Sequence, residues 1–458
     1  MINPQSHYSE RDRQNLKMLC DEFLKYNHID KAAYEKYEVK KGLRNADSTG
    51  VLAGLTKICN VHGYIINERE RIPAEGKLTY RGIDINDIVE NCIRENRFGF
   101  EETVWLLLFG SLPTAEQLAK FQDILEYYRE FPKGFLEDII LKAPSNNVMN
   151  KLGRSVLALY SYDHNPEDTS LTNVMFQAIQ IIARMPIIMV EAYQVKKRYY
   201  YNESMYFHPV VKGYSVAQNI LAGLRADQKF TEEEAKLLDM CLILHAEHGG
   251  GNNSTFTARV LTSTGTDTYA AISAAIGSLK GPRHGGANLK VMEMLEAFKS
   301  GVSDWSDDAQ IKEFLRKIIR KEAGDRSGLI YGMGHAVYTI SDPRAVILKR
   351  NAKALAAEKG MEEEFGLLES IERLAPEVFY EEKGLEKVIC ANVDMYSGFV
   401  YRMLGIPQDL FTPMFAISRV AGWCAHRIEE INNSKKIIRP AYKSLSTPAP
   451  YIPIGERG

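Results

Sequence analysis

The sequence lacks any Cys-x-x-Cys pair. Its six cysteines (Cys20, Cys59, Cys92, Cys241, Cys390 and Cys424) stand far apart, which disfavours a disulfide framework and fits reduced thiols in a cytoplasmic setting. It also lacks an excess of charge of either sign: 57 lysines and arginines face 59 acids, a net charge of −2. Nothing in that balance points to a polyanionic partner. The one basic aromatic stretch, Lys196-Lys197-Arg198-Tyr199-Tyr200-Tyr201, closes an apolar segment from Ile179 to Val195, where cations complement a helix dipole. No extended basic face accompanies it, so nucleic acid is not expected as a partner. No run reaches the roughly 18 consecutive apolar residues that a membrane span needs, so no membrane is expected either. The opening residues, MINPQSHYSERDRQNL, have no apolar signal core and carry Glu10 and Asp12, unlike a transit peptide.

What is present is a long chain with an ordinary globular composition. At 458 residues, 45% of them hydrophobic and 25% charged, it exceeds the size at which one core usually keeps growing. Apolar residues recur at three- and four-residue spacing over 9–26, 83–97, 101–110, 114–130, 171–198, 214–225 and 231–247. The same period continues over 252–264, 267–280, 284–299, 308–323, 342–358, 361–374, 395–404 and 411–432. Thr114-Ala-Glu-Gln and Thr231-Glu-Glu-Glu carry cap chemistry at two of the starts. Only Val61 to Asn67, and with less pattern Leu78 to Ile83, read as strands. With no strand–helix–strand alternation, the expected fold class is all-α. Two glycine-marked breaks, Gly281 to Gly286 and Ala391 to Gly398, enclose about a hundred residues with their own helical pattern. The expected organisation is therefore a large helical domain (1–286, with an extension over 1–41, and 394–458) and a smaller inserted helical domain (287–393). Hinges at both edges of an insert allow closure over a ligand.

Four of the ten histidines fall between residues 245 and 335, each beside small residues or glycine. A single buried histidine is more often a hydrogen-bonded core residue than a catalyst. The recurrence is the signal, because glycine beside histidine lets backbone and ligand approach closely. In His245-Ala-Glu-His248-Gly-Gly-Gly-Asn252, the two histidines are expected on one helix face ended by the glycines. A metal site is not favoured, since the H-E-x-x-H order and a third ligand are missing. In Lys280-Gly-Pro-Arg-His284-Gly-Gly-Ala-Asn288, a loop is expected to feed a helix near His284, whose N-terminal field disfavours a cationic imidazole. A neutral imidazole there can donate to a carbonyl that becomes an enolate. Tyr331-Gly-Met-Gly-His335-Ala-Val-Tyr, followed by Asp342-Pro343-Arg344, sets a polar donor and a carboxylate-binding guanidinium about one short turn. Asp394, in Asn392-Val-Asp-Met-Tyr-Ser-Gly398, reads either as an N-cap or as a partly desolvated general base. Arg419 sits in an apolar helix and Arg439 in Ile-Ile-Arg-Pro.

In this order the motifs resemble the citrate synthase family: H-x-x-H-x-G-x-N, G-P-x-H-G-x-A-N, G-x-G-H-A-V with D-P-R, N-V-D-x-x-S-G, then S-R and R-P. The resemblance spans about residues 45–445, preceded by Gly42-Leu-Arg-Asn, with Tyr80-Arg-Gly-Ile-Asp near its start. It implies a homodimeric acyltransferase that joins acetyl-CoA to oxaloacetate, with the thioester as substrate and no cofactor or metal. It implies that Asp394 takes the acetyl methyl proton, that His284 hydrogen-bonds the thioester oxygen, and that His335 polarises the oxaloacetate carbonyl. His248, Arg344, Arg419 and His335 would bind oxaloacetate, and Arg439 would reach the ligand from the neighbouring subunit. Two other readings remain open: 2-methylcitrate synthase acting on propionyl-CoA, and a non-catalytic sensor of CoA or oxaloacetate. The Asn392–Gly398 segment is closer to the citrate branch.

Three departures stand out. The family often has a basic residue, four positions after the histidine of G-x-G-H, that contacts CoA phosphate. Here the position is Thr339, which leaves Lys349 and Arg350 as candidates for that contact. The first forty-odd residues match nothing in the family. Pro144-Ser-Asn-Asn and Tyr199 to Glu203 read as local insertions.

Overall fold

The computed structural model describes residues 9–457 apart from 46, 48, 69, 385–388 and 435. The chain forms two compact units, divided between Gly54 and Leu55.

In the first unit, α1 (Glu10–Tyr26) starts at a capping box in which Ser9 and Asp12 satisfy each other's amides. Asp30 caps the short α2 (Lys31–Lys36), and Gly42 (φ 62°) supplies the left-handed turn that follows. The predicted extension is thus helical over most of its described length.

The second unit opens with a three-stranded antiparallel sheet in the order β1 (Cys59–Asn67), β2 (Glu70–Tyr80), β3 (Ile83–Asp84). The register runs from Cys59↔Tyr80 to Asn67↔Glu70 and shifts between His62 and Tyr64. The sequence placed only the first strand well: β2 covers the charged stretch from Glu70, where the expected strand began at Leu78. Helices α3 (Ile85–Arg94), α4 (Phe100–Phe109), α5 (Ala115–Tyr128), α6 (Val148–Ala158) and α7 (Leu171–Lys196) follow. Next come α8 (Val216–Leu224), α9 (Glu232–His245), α10 (Asn253–Thr262), α11 (Thr268–Lys280) and α12 (Ala287–Gly301). The last are α13 (Asp308–Ile319), α14 (Pro343–Glu358), α15 (Glu362–Lys383), α16 (Asp394–Met403) and α17 (Phe411–Asn433). The all-α class holds. Both expected threonine caps are present, each as a full capping box.

Two helix boundaries correct the sequence reading. Helix α9 stops at His245, so His248 lies beyond it and does not share its face. Helix α12 begins at Ala287, so His284 sits in the preceding turn, whose amides at His284 and Gly285 both donate to Gly281 O (2.9 and 3.1 Å). A third correction concerns α7. With the turn that continues it, Leu171–Tyr201 is a 31-residue helical run holding an 18-residue window of mean hydropathy 1.5, long and apolar enough by composition to cross a membrane, yet 67% of that window is buried within the fold. Polar residues such as Gln180 and Arg184 interrupt the run, so counting consecutive apolar residues missed it. The two insertions meet: Tyr200 donates to Pro144 O (3.2 Å), while Tyr201 and Lys196 both bind Asp409.

Helix α17 organises the core. It packs on α4, α7, α9, α10 and α11, and Trp423 at its middle is fully buried. The buried Arg427 is satisfied by Thr262, Thr268 and the carbonyl of Thr266. The approach of α17 to the segment after α9 depends on Gly422, where a Cβ would lie 2.0 Å from Glu247 Oε2 and 2.6 Å from Ala246 O. Gly422→Ala is expected to cost about 1–3 kcal/mol by overpacking, read as a lower urea midpoint. An unchanged midpoint would mean that the two segments are not held at this distance.

Candidate active site

Local geometry fixes His335 first. Gly332 (φ 80°) and Gly334 (φ 88°) flank a short antiparallel bridge between Met333 and Ala391. The amide of Gly334 donates to Cys390 O (2.7 Å), and that of Asn392 to Gly332 O (2.8 Å). Any side chain at position 332 would strike Met395, with Cα only 2.9 Å from the added Cβ. The pairing sets the G-x-G-H and N-V-D motifs side by side. Asn392 then links them again, donating to Gly334 O (2.9 Å) and accepting from the amide of Asp394 (3.0 Å). The amides of Val337 and Tyr338 both donate to His335 Nδ1 at 3.0 Å. An imidazole nitrogen that accepts carries no proton, so the ring's N–H is at Nε2.

Next to this turn, the rings of His248 and His335 meet edge to face with centroids 5.2 Å apart. Tyr338 stacks on His335 at 4.5 Å and its hydroxyl lies 3.2 Å from His248 Nε2. Burial, with Arg344, His335 and Arg419 nearby, holds His248 well below the usual histidine range.

Asp342 ties the anion-binding side together. It caps α14, accepts from the Arg344 amide (3.0 Å), and holds the guanidinium through Nε (3.0 Å) and an η nitrogen (2.7 Å). Its second oxygen accepts from the amide of Val393 (3.1 Å), immediately before Asp394. Asp394 is the first residue of α16, with Val393 rather than itself at the cap, so the capping reading of this aspartate fails. Its carboxyl is pushed up to about 6 by burial, with Asp342 adding to the shift and Arg344 and Arg419 opposing it.

Arg419, on α17, is buried and donates through Nε to His245 O (2.6 Å). His284 Nε2 lies 3.1 Å from Asn252 Oδ1 and 3.3 Å from Ser254 Oγ, and Trp423 donates to the same serine. The imidazole is pushed down to about 4, by burial first and then by Arg419. The sequence attributed this effect to a helix N-terminus; burial is its principal source.

Six of the seven selected residues (His248, His284, His335, Arg344, Asp394 and Arg419) thus occupy one region. Arg439 is exposed in the extended segment after α17, where the amide of Ile438 donates to Ser263 Oγ (3.1 Å). His245 belongs to the core: it is fully buried and stacked on Phe415 at 3.6 Å, so it does not pair with His248 toward a metal. Thr339 is buried, and Lys349 and Arg350 are already paired with Glu372 (2.7 Å) and Glu90 (3.1 Å).

The sequence reading missed Asp342, Tyr338, Asn252 and Ser254 as partners, although all four lie in or beside the motifs that drew attention. It also missed a buried relay behind the site. Arg259 contacts Glu429 and Glu430 and donates to His426 Nδ1, whose Nε2 lies 3.1 Å from Glu247 Oε1.

Residues 46–441 match the family described as "Citrate synthase, C-terminal domain". A citrate synthase of Haloferax volcanii is 34% identical over 424 residues, covering 92% of this chain and 99% of the relative. 2-Methylcitrate synthase 1 of Corynebacterium glutamicum is 33% identical over 426 residues, covering 92% and 99%. Among solved structures, the ternary complex of the Thermoplasma acidophilum citrate synthase with carboxymethyl coenzyme A and oxaloacetate superposes with a TM-score of 0.72. It shares 26% identity over 92% of this chain and 99% of that one.

Because Asp342 holds both Arg344 and the backbone at Val393, its loss leaves a buried guanidinium without its counter-charge. Asp342→Ala is expected to destabilise the fold by about 3–5 kcal/mol, measured by urea unfolding. A loss under about 1 kcal/mol would show the pair to be solvated in solution.

Proposed function

The chain belongs to the citrate synthase family, and from that premise we propose that it is a citrate synthase, joining acetyl-CoA to oxaloacetate through Asp394, His284 and His335. The observation that carries this reading is the convergence of a carboxyl near neutrality with imidazoles beside two buried arginines. Oxaloacetate is a dianion, and guanidinium groups with a neutral His248 suit its carboxylates.

Asp394 removes a proton from the acetyl methyl group, leaving an enolate whose negative charge rests on the thioester oxygen. A neutral His284 donates to that oxygen. One preorganised donor of this kind is worth about 3–4 kcal/mol of barrier. The enolate carbon attacks the oxaloacetate keto carbon, and His335 gives its Nε2 proton to the new alkoxide. Water then hydrolyses citryl-CoA to citrate and free CoA. The reaction needs water kept out until the carbon–carbon bond forms, and we assign that task to closure of the small domain, 287–393. The same reading makes the working unit a homodimer with Arg439 supplied in trans, without metal or cofactor, in the cytoplasm, where unpaired, spaced cysteines belong.

Acetyl-CoA is preferred over propionyl-CoA on the strength of the Asn392–Gly398 segment, while relatives of both specificities are equally similar. One methylene changes binding by only about 1–3 kcal/mol, so both thioesters are expected to turn over, with kcat/KM favouring acetyl-CoA. A large preference for propionyl-CoA in a CoA-release assay would reassign the enzyme as a 2-methylcitrate synthase.

Asp394→Asn is expected to bind oxaloacetate yet lose turnover by orders of magnitude. In the parent enzyme kcat should fall as pH drops below about 6, because protonated Asp394 cannot accept the methyl proton. His284, pushed down to about 4, stays neutral through that range and does not set the limb. A kcat constant down to pH 5 would remove Asp394 as the base. Mixed dimers of Arg439→Ala and Asp394→Asn chains should recover part of the activity, and dimers that stay inactive would place Arg439 outside the shared site.

A further inference from the structure

The β1–β2 hairpin lies across the turn that follows His335, and the two surfaces interlock. Thr339 Oγ1 donates to Gly63 O on β1, lies 3.1 Å from Ala74 O, and accepts from the amide of Ala74 on β2 (3.2 Å). Arg71, packed over Tyr64 with its guanidinium carbon 4.0 Å from the ring centroid, donates to Val337 O (3.0 Å). The amide of Gly76 donates to Ser341 Oγ (3.1 Å). The approach is too close for side chains. A Cβ at Gly63 would lie 2.6 Å from Tyr338 Cα, and one at Gly76 would lie 2.0 Å from Ser341 O. Gly63 sits at the register shift in the sheet, where the strand bends toward the turn.

The far end of the same hairpin grips the other histidine segment. The Tyr80 hydroxyl contacts the carbonyls of Ile243 (3.0 Å) and Glu247 (3.1 Å) and accepts from the Glu247 amide (3.3 Å). One rigid element therefore spans the backbone that carries His248 and the turn whose amides fix the His335 tautomer.

We infer that the hairpin is a positioning element for the reaction, acting through Thr339 and Arg71 to aim His335 and its partner His248 at the substrate carbonyl. The inference rests on the role given above to His335. A turn released from the hairpin still folds back on the site, but its Val337 and Tyr338 amides no longer hold Nδ1 in one place. Displacement of a catalytic group by about 1 Å can cost roughly 100-fold in rate.

Thr339→Val keeps the shape of the side chain and removes both hydrogen-bonding roles. It is expected to lower kcat by about 10–100-fold with KM for acetyl-CoA within about twofold of the parent, and to speed hydrogen exchange across 335–341. Thr339→Ser should restore both readouts. Arg71→Ala, at a partly exposed position, tests the same grip if the valine variant does not fold, with an expected loss in kcat of about fivefold or more. The inference falls if exchange across 335–341 rises while kcat is unchanged, if only KM moves, if serine fails to rescue, or if Arg71→Ala keeps full kcat. His335→Asn separates this from failure of the underlying role. Near-normal turnover in that variant removes His335 from the chemistry and the inference with it. An inactive His335→Asn beside a fully active Thr339→Val overturns the positioning role alone.

Discussion

The site depends on one buried carboxylate that never touches substrate in the proposed chemistry. Asp342 caps α14, locks the Arg344 guanidinium in a two-point grip, and receives the backbone amide that precedes Asp394. Ion pairs this deep repay their desolvation only when further hydrogen bonds satisfy the remaining lone pairs, which is the situation here. The benefit is geometric. In the proposed reaction Arg344 is thereby held in place before the dianion arrives, and Asp394, the proposed base, is steadied by the same group. Asp342 also adds negative charge near Asp394, helping burial to hold that carboxyl at about 6, where it is basic enough to take a weakly acidic proton.

The histidines show the complementary side of this electrostatics. His248 and His284 are kept neutral by burial and by neighbouring guanidinium groups, so they offer N–H donors without adding charge to a region that already holds two arginines. The uncharged state of His335 follows instead from two backbone amides that occupy Nδ1. A neutral donor suits an enolate, because it stabilises developing charge without trapping the ground-state carboxylates.

Much of this was legible in the sequence, for reasons that differ from residue to residue. Helical periodicity and the Thr114 and Thr231 boxes placed most helices, because those signals are local. The candidate site residues stood out because glycine near histidine or aspartate marks close backbone approach, as the bridge between Met333 and Ala391 illustrates. Where the reading failed, tertiary contacts overruled the pattern. His248 continued the apparent face of α9, but the three following glycines and the anchoring of Glu247 by Tyr80 release the chain from the helix earlier. Strand β2 was invisible from Glu70 because its alternation is set by what it covers, the 337–341 turn, and not by a hydrophobic face of its own. Asp342 was hidden in plain sight: read as part of D-P-R, its motif drew attention to the arginine and not to the acid that holds it.

The grip of the hairpin on the His335 turn joins positions about 265 residues apart along the chain. At a synthesis rate of about 5–20 residues per second, the hairpin leaves the ribosome roughly 10–50 s before the turn that covers it exists. Through that interval the part of its inner face around Gly63 and Gly76, both bare of side chains, lacks the turn that covers it in the folded chain. Assembly of the candidate site is therefore deferred until most of the polypeptide has been made, and a nascent chain truncated before residue 335 lacks two of the three residues proposed to run the reaction, His335 and Asp394.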